Sequence, residues 1–189
     1  MYFSESELRG YSTQVSESGA FDTLRKDARA AHGTYDVFLS HSVRDARVVL
    51  GIRRMLETQN LTVYVDWIDD KDLDRSLVSP ATADRLRLRM SNSRSLMYAT
   101  SRAASKSRWM PWELGYFDGN RGPDRISILP IESDSTNSFV GEEYLGLYKL
   151  VEKLRDGQTF RPFAVQRSQS RAETLTSFAN GRGQFLGVS

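Results

Sequence analysis

Four short apolar runs recur along the chain, and stretches with apolar residues at helical spacing separate them. The runs are Tyr35–Ser40, Leu61–Asp66, Arg94–Ala99 and Ile126–Ile131. Each is rich in β-branched, aromatic or other large apolar side chains and too short for a helix, so each reads as a buried strand. Their central residues Phe38, Val63, Leu96 and Ile128 are expected in the core. Between the first two runs, Ala46, Val49, Leu50 and Leu56 mark one side of an amphipathic helix from Val43 to Thr58, with Arg53 the exception on that side. Ser79-Pro80 is a cap followed by proline at the first helical position, which predicts a helix to about Ser91. Arg85–Met90 also alternates as a strand would, and the start signal decides for helix. A third helix is predicted from Trp109 to Phe117, and Gly119–Pro123 reads as a turn. Strands alternating with helices predict an α/β fold, with a central, mainly parallel sheet and helices on both faces.

The flanks carry weaker patterns. Ser16–Gly19 breaks the chain, and Ala20–Ala31 has helical composition with a thin apolar stripe of Phe21, Leu24 and Ala28 that ends at Gly33. Such a stripe suits docking on the main domain or on a second subunit. Beyond Ile131, Tyr144–Tyr148 reads as a short edge strand, with helices beginning at Leu150–Leu154 and Arg171–Ala179. The tail from Gly181 is expected to be mobile. The organisation expected is an N-terminal helical appendage (1–34), a main domain (35–155) and a C-terminal extension and tail (156–189).

Composition narrows the chemistry. The 189 residues contain no cysteine and two histidines, His32 and His41. This composition excludes disulfides, thiolate catalysis and cysteine- or histidine-rich metal sites, so no metal is expected. The 26 basic residues are interspersed with 24 acidic ones for a net charge of +2, unlike the concentrated basic face of a nucleic-acid binder. No apolar run approaches the length of a membrane span, and the acidic first residues lack a signal-peptide core. A cytoplasmic protein with no nucleic-acid or membrane partner is expected.

The stretch Ser107–Phe117 carries the most unusual pattern. Ser105 or Ser107 can cap this helix, Pro111 suits its first turn, and Trp109, Glu113 and Phe117 share a face at i, i+4 and i+8. A lone carboxylate between two aromatic side chains either rests at the rim in water or is buried with a partner. In open α/β sheets ligands bind outside the carboxyl ends of the strands. Those ends bring Ser40-His41-Ser42, Asp66-Trp67 and Ala99-Thr100-Ser101 toward Glu113 and Arg44, a suitable cleft for a sugar–phosphate ligand with a flat base. Glycine-rich dinucleotide and phosphate-loop fingerprints are absent. Asp70–Asp74 lacks the glycine and glutamate of a calcium loop. A phospho-receiver domain would need an acidic pair where Ser40-His41 stands and an aspartate where Ala99 stands.

Three blocks carry a family resemblance. Tyr35–Ser42 with Arg44-Asp45 resembles the opening strand and loop of Toll/interleukin-1 receptor (TIR) domains. Tyr64-Val65-Asp66 with Leu73-Asp74-Arg75 resembles their second strand and the loop beyond it. Ser105–Trp109 with Glu113-Leu114 resembles the segment that holds the catalytic glutamate in plant and bacterial members. Ser76 stands where plant members usually have glycine, and the proline of animal adaptor loops is missing.

The resemblance implies a flavodoxin-like TIR fold and cleavage of NAD at the nicotinamide–ribose bond, to nicotinamide and ADP-ribose or a cyclic isomer. NAD is then the substrate, and no cofactor is implied. Glu113 takes the catalytic position, facing a ribose with oxocarbenium character. Ser40, His41, Arg44, Asp66, Trp67 and Trp109 fall at the substrate-binding positions. Trp67 can stack on a ring or pack on the sheet, Arg44 can meet a phosphate, and Asp45 can pair with a local arginine. A short standalone chain of this kind resembles bacterial antiphage proteins of the Thoeris type, which self-associate and signal to a separate effector through a nucleotide product. The alternative is a TIR-like interaction module without turnover, assembling through its loops and the Ser79–Ser91 helix.

Overall fold

A computed structural model of the chain describes residues 1–29 (backbone only over 25–29), 33–41, 46–65, 79–100, 107, 109–132 and 142–187. In chain order the elements are β1 (Phe3–Ser4), α1 (Glu5–Gly10), α2 (Glu17–Arg29), β2 (Tyr35–His41), α3 (Ala46–Glu57), β3 (Val63–Val65), α4 (Pro80–Ser91) and β4 (Ser93–Thr100). They continue as α5 (Met110–Arg121), β5 (Ile126–Glu132), β6 (Lys149–Asp156), β7 (Thr159–Gln166), β8 (Arg171–Thr174), α6 (Leu175–Asn180) and β9 (Leu186–Gly187).

The strands form one sheet in the order β3-β2-β4-β5-β6-β7-β8-β9, with β1 pairing a second stretch of β5. All pairs from β3 to β6 are parallel, and those from β6 to β9 are antiparallel. Counting only the five parallel strands after α2, this is the 2-1-3-4-5 order of flavodoxin-like sheets, whose switch point lies between the first and third strands. Here that point lies between β2 and β4.

Alternation along the strands builds two cores. Val37, Leu39, Met97, Ala99 and Leu129 face α1, α2, α3 and α6. Phe38, Leu96, Tyr98, Ile126 and Ile128 face α4 and α5. The residues expected in the core are there: Phe38, Leu96 and Ile128 are fully buried, and Val63 nearly so. Arg85–Met90 is helical. The N-cap Ser79 accepts the Thr82 N–H, and Leu86 and Met90 point inward.

Helix α3 is buried around most of its circumference because α1 and α2 cover its outer side. That explains why a single apolar stripe understates it. The exceptional Arg53 lies at the margin, paired with Glu57 at 2.8 Å. Glu17 accepts the backbone N–H groups of Ala46 and Arg47, capping α3 from α2. Gly51 meets the α1 backbone so closely that an added Cβ would lie 1.9 Å from the Leu8 carbonyl oxygen. The expected docking of the 20–31 helix holds for Leu24, which is buried in the main core, whereas Phe21 is 41% exposed. Residues 17–19 begin α2, and the hydroxyl of Ser16 just before it accepts the Gly19 N–H.

Several expectations past α5 are overturned. Residues 119–121 continue α5, and the reversal falls at Gly122, whose φ of 80° suits glycine. Glu143–Leu147 is a 3₁₀ turn, where an edge strand was expected. Leu150–Leu154 belongs to β6, because hairpin pairing with β7 outweighs its helix-compatible spacing. Arg171–Thr174 is strand β8, and only Leu175–Asn180 is helical.

Candidate active site

Two neighbouring strands and one helix build the site at the switch point. Ser40 and Tyr98 are register partners on β2 and β4, so both point to the α5 side of the sheet. Helix α5 leaves the carboxyl end of β4 and returns across this face. Its first turn contains Pro111, as expected, and Ser107 accepts the Met110 N–H at 3.2 Å. The helix begins at Met110, and Ser105 lies outside the described residues. Trp109, Glu113 and Phe117 all face the sheet and are buried.

Glu113 is therefore not a rim residue. It has no solvent exposure, and the Ser40 hydroxyl donates to its Oε2 at 2.6 Å. A hydroxyl donating to a carboxylate characteristically approaches to about 2.5–2.7 Å. This bond meets part of the hydrogen-bonding demand of a buried acid, which would otherwise be costly. Tyr98 lies on the same face and hydrogen-bonds with Tyr144. Burial first, then Tyr144, Glu113 and Glu142, push its phenol well above the ordinary value, so Tyr98 stays a neutral hydroxyl. Its membership was legible in principle, since Tyr98 alternates with Leu96 on the strand preceding the Glu113 helix.

The other sequence-predicted residues divide into three groups. Trp109 is buried at the start of α5, edge-on to Trp112 with ring centroids 5.4 Å apart. His41 is buried too, but follows Val37 and Leu39 toward the α3 side, so the sheet separates its ring from Glu113. Arg44, Asp66 and Trp67 lie outside the described residues, as do Asp45 and Ser42.

No family model matches the chain. Comparison with curated proteins does find relatives. The probable 3′ cyclic ADP-D-ribose synthase ThsB′ of Bacillus cereus (strain MSX-D12) is 52% identical over 120 residues, which are 63% of this chain and 61% of that protein. The putative cyclic ADP-D-ribose synthase TIR2 of Cytobacillus dafuensis is 35% identical over 83 residues, 43% of this chain and 22% of that protein. The match spans about three fifths of the first relative's length and about a fifth of the second's. In this chain, the switch point between β2 and β4 is where Ser40, Tyr98 and Glu113 meet.

Among the described residues, no helix is long and apolar enough to cross a membrane.

Proposed function

We propose that this chain is a TIR-domain enzyme that cleaves NAD at the nicotinamide–ribose bond, giving nicotinamide and ADP-ribose or a cyclic ADP-ribose isomer, with Glu113 as the catalytic carboxylate. The observation that carries the reading is a carboxylate with no solvent exposure, hydrogen-bonded by Ser40 at the switch point of a flavodoxin-like sheet. The names of the two relatives, both cyclic ADP-D-ribose synthases, support it.

The chemistry suits these residues. Nicotinamide departs from NAD as a neutral base from a cationic ring nitrogen, so no acid has to protonate it. The ribose gains oxocarbenium character as the bond breaks, and an oriented carboxylate in a dry site stabilises that developing charge. Ser40 holds Glu113 in place through Oε2. Tyr98, kept protonated and hydrogen-bonded with Tyr144, adds no negative charge beside it. Trp109 supplies an apolar wall at the start of α5, and NAD acts as substrate with no resident cofactor. Arg44, Asp66 and Trp67 complete the substrate contacts in this reading, with Trp67 against a ring and Arg44 against a phosphate.

The reading extends to a Thoeris-type role in antiphage defence, in which the chain self-associates in the cytoplasm and its nucleotide product acts on a separate effector. Incubating the purified protein with NAD and identifying products by mass spectrometry tests the reaction. Nicotinamide released in equal amount to ADP-ribose or a cyclic isomer is expected. Intact NAD, with and without lysate from phage-infected cells as trigger, would refute it and favour an interaction module.

A further inference from the structure

At the opposite end of the sheet from Glu113, four arginines line one cavity. Arg94 starts β4, Arg121 ends α5, Arg125 precedes β5 and Arg182 follows α6, with Asn120 and Asn180 between them. The cavity has a volume of about 560 Å³, within the range of small-molecule sites. Three of the guanidiniums are fixed in place. Arg94 contacts Asp36 at 3.1 Å and Asn180 at 2.7 Å. Arg121 donates to the Ser91 carbonyl at 2.7 Å. Arg125 spans the Phe178 and Ala179 carbonyls and packs flat against Gly181. The Arg182 side chain makes no hydrogen bond among the described residues.

Capping helix ends accounts for only part of this charge. The C-termini of α4, α5 and α6 together supply about −1.5 charges, and Asp36 supplies one more, against four guanidiniums. About one and a half positive charges are left over in a single cavity. Guanidiniums held rigidly, with N–H groups remaining, are the usual partners of phosphate oxygens. A second cavity of about 210 Å³ shares Asn120 and Arg121 with the first, and Tyr116, half-buried, is the aromatic side chain exposed along it, since Phe117 and Met90 are buried. Charge in one compartment and the half-buried Tyr116 in the next suit a ligand with linked phosphates on one side and a flat ring on the other.

We infer that this cavity binds a nucleoside di- or triphosphate, at a site separate from the one proposed for NAD cleavage. Helix α5 joins the two. Glu113 stands in its first turn and Arg121 at its end, about 12 Å apart along the axis. The inference does not depend on turnover, because binding alone reads it.

The test is calorimetric titration of the full chain with ADP, tripolyphosphate and inorganic phosphate at physiological salt. Saturable ADP binding is expected, with tripolyphosphate competing and inorganic phosphate far weaker. The double variant Arg121→Ala/Arg182→Ala should weaken ADP roughly tenfold or more. Should the double variant fail to fold, Arg182→Ala alone still decides, since that exposed side chain holds nothing else in place. No saturable ADP binding, or ADP binding untouched by the arginine substitutions, would overturn the inference. Tighter binding of a short single-stranded oligonucleotide than of ADP, abolished by the same substitutions, would overturn it in favour of nucleic acid.

Discussion

The Ser40–Glu113 hydrogen bond sets a small side chain against a large demand. A buried carboxylate that loses a donor pays much of the desolvation cost, typically about 1.5–3 kcal/mol for a bond to a charged group. Ser40→Ala is therefore expected to lower both Tm and kcat, with kcat falling about tenfold or more, whereas Ser40→Thr should recover part of the loss. The conservative variant separates positioning from packing. Equal kcat in wild type and Ser40→Ala would show that the bond does not orient the carboxylate. The sequence placed Glu113 and Ser40 at the same strand edge because the strand ends were readable. It left open whether Glu113 was wet or buried, because that depends on how α5 crosses the sheet. His41 shows the converse. Adjacency to Ser40 in sequence put it in the same cleft, but the period of two in a strand turns it to the other face.

At the scale of elements, the N-terminal segment is fastened to α3 by contacts that no local pattern announces. Gly51 reads as an unremarkable helical glycine, yet it leaves room for the Leu8 backbone. Gly51→Ala improves helix propensity but forces α1 outward. A net destabilisation of about 1–3 kcal/mol is expected by denaturant unfolding, as for other overpacked contacts. A stabilised Gly51→Ala variant would mean that α1 does not dock there. A second fastening is pH-dependent. Burial tends to raise the Glu7 carboxyl, but hydrogen bonds from Lys153 and the Ser4 backbone outweigh it and hold the group below its ordinary 4.5. Since the folded value is the lower one, this stabilisation is present above pH 4.5 and is lost as pH falls through the folded value. Glu7→Gln should accordingly melt below wild type at neutral pH, and the gap should close in acid. A gap independent of pH would rule out this linkage.

For the whole molecule, the parallel half of the sheet was legible because buried strands such as Tyr35–His41 and Ile126–Glu132 are nearly continuous apolar runs. The antiparallel half was not. Apolar residues at 147, just before β6, and at 150, 151 and 154 within it have a spacing that a helix would also satisfy, and only the partner β7 settles the matter. That partner contains Pro162 and exposed residues at its start, so it gives little strand signal of its own. The arginine cavity was equally hidden, because its four members are spread from position 94 to 182 and converge only in the fold.

The central claim is that the charge of Glu113 drives cleavage of NAD. Glu113→Gln keeps the volume, and its amide oxygen can still accept the Ser40 hydroxyl, so folding and NAD binding should survive. Removing a group aimed at developing charge commonly costs about 10²–10³ in rate. The decisive measurement is kcat for NAD cleavage by wild type and Glu113→Gln under identical activation, alongside their melting temperatures. A fall of that size with Tm nearly unchanged is expected, and equal rates in the two proteins would contradict the account.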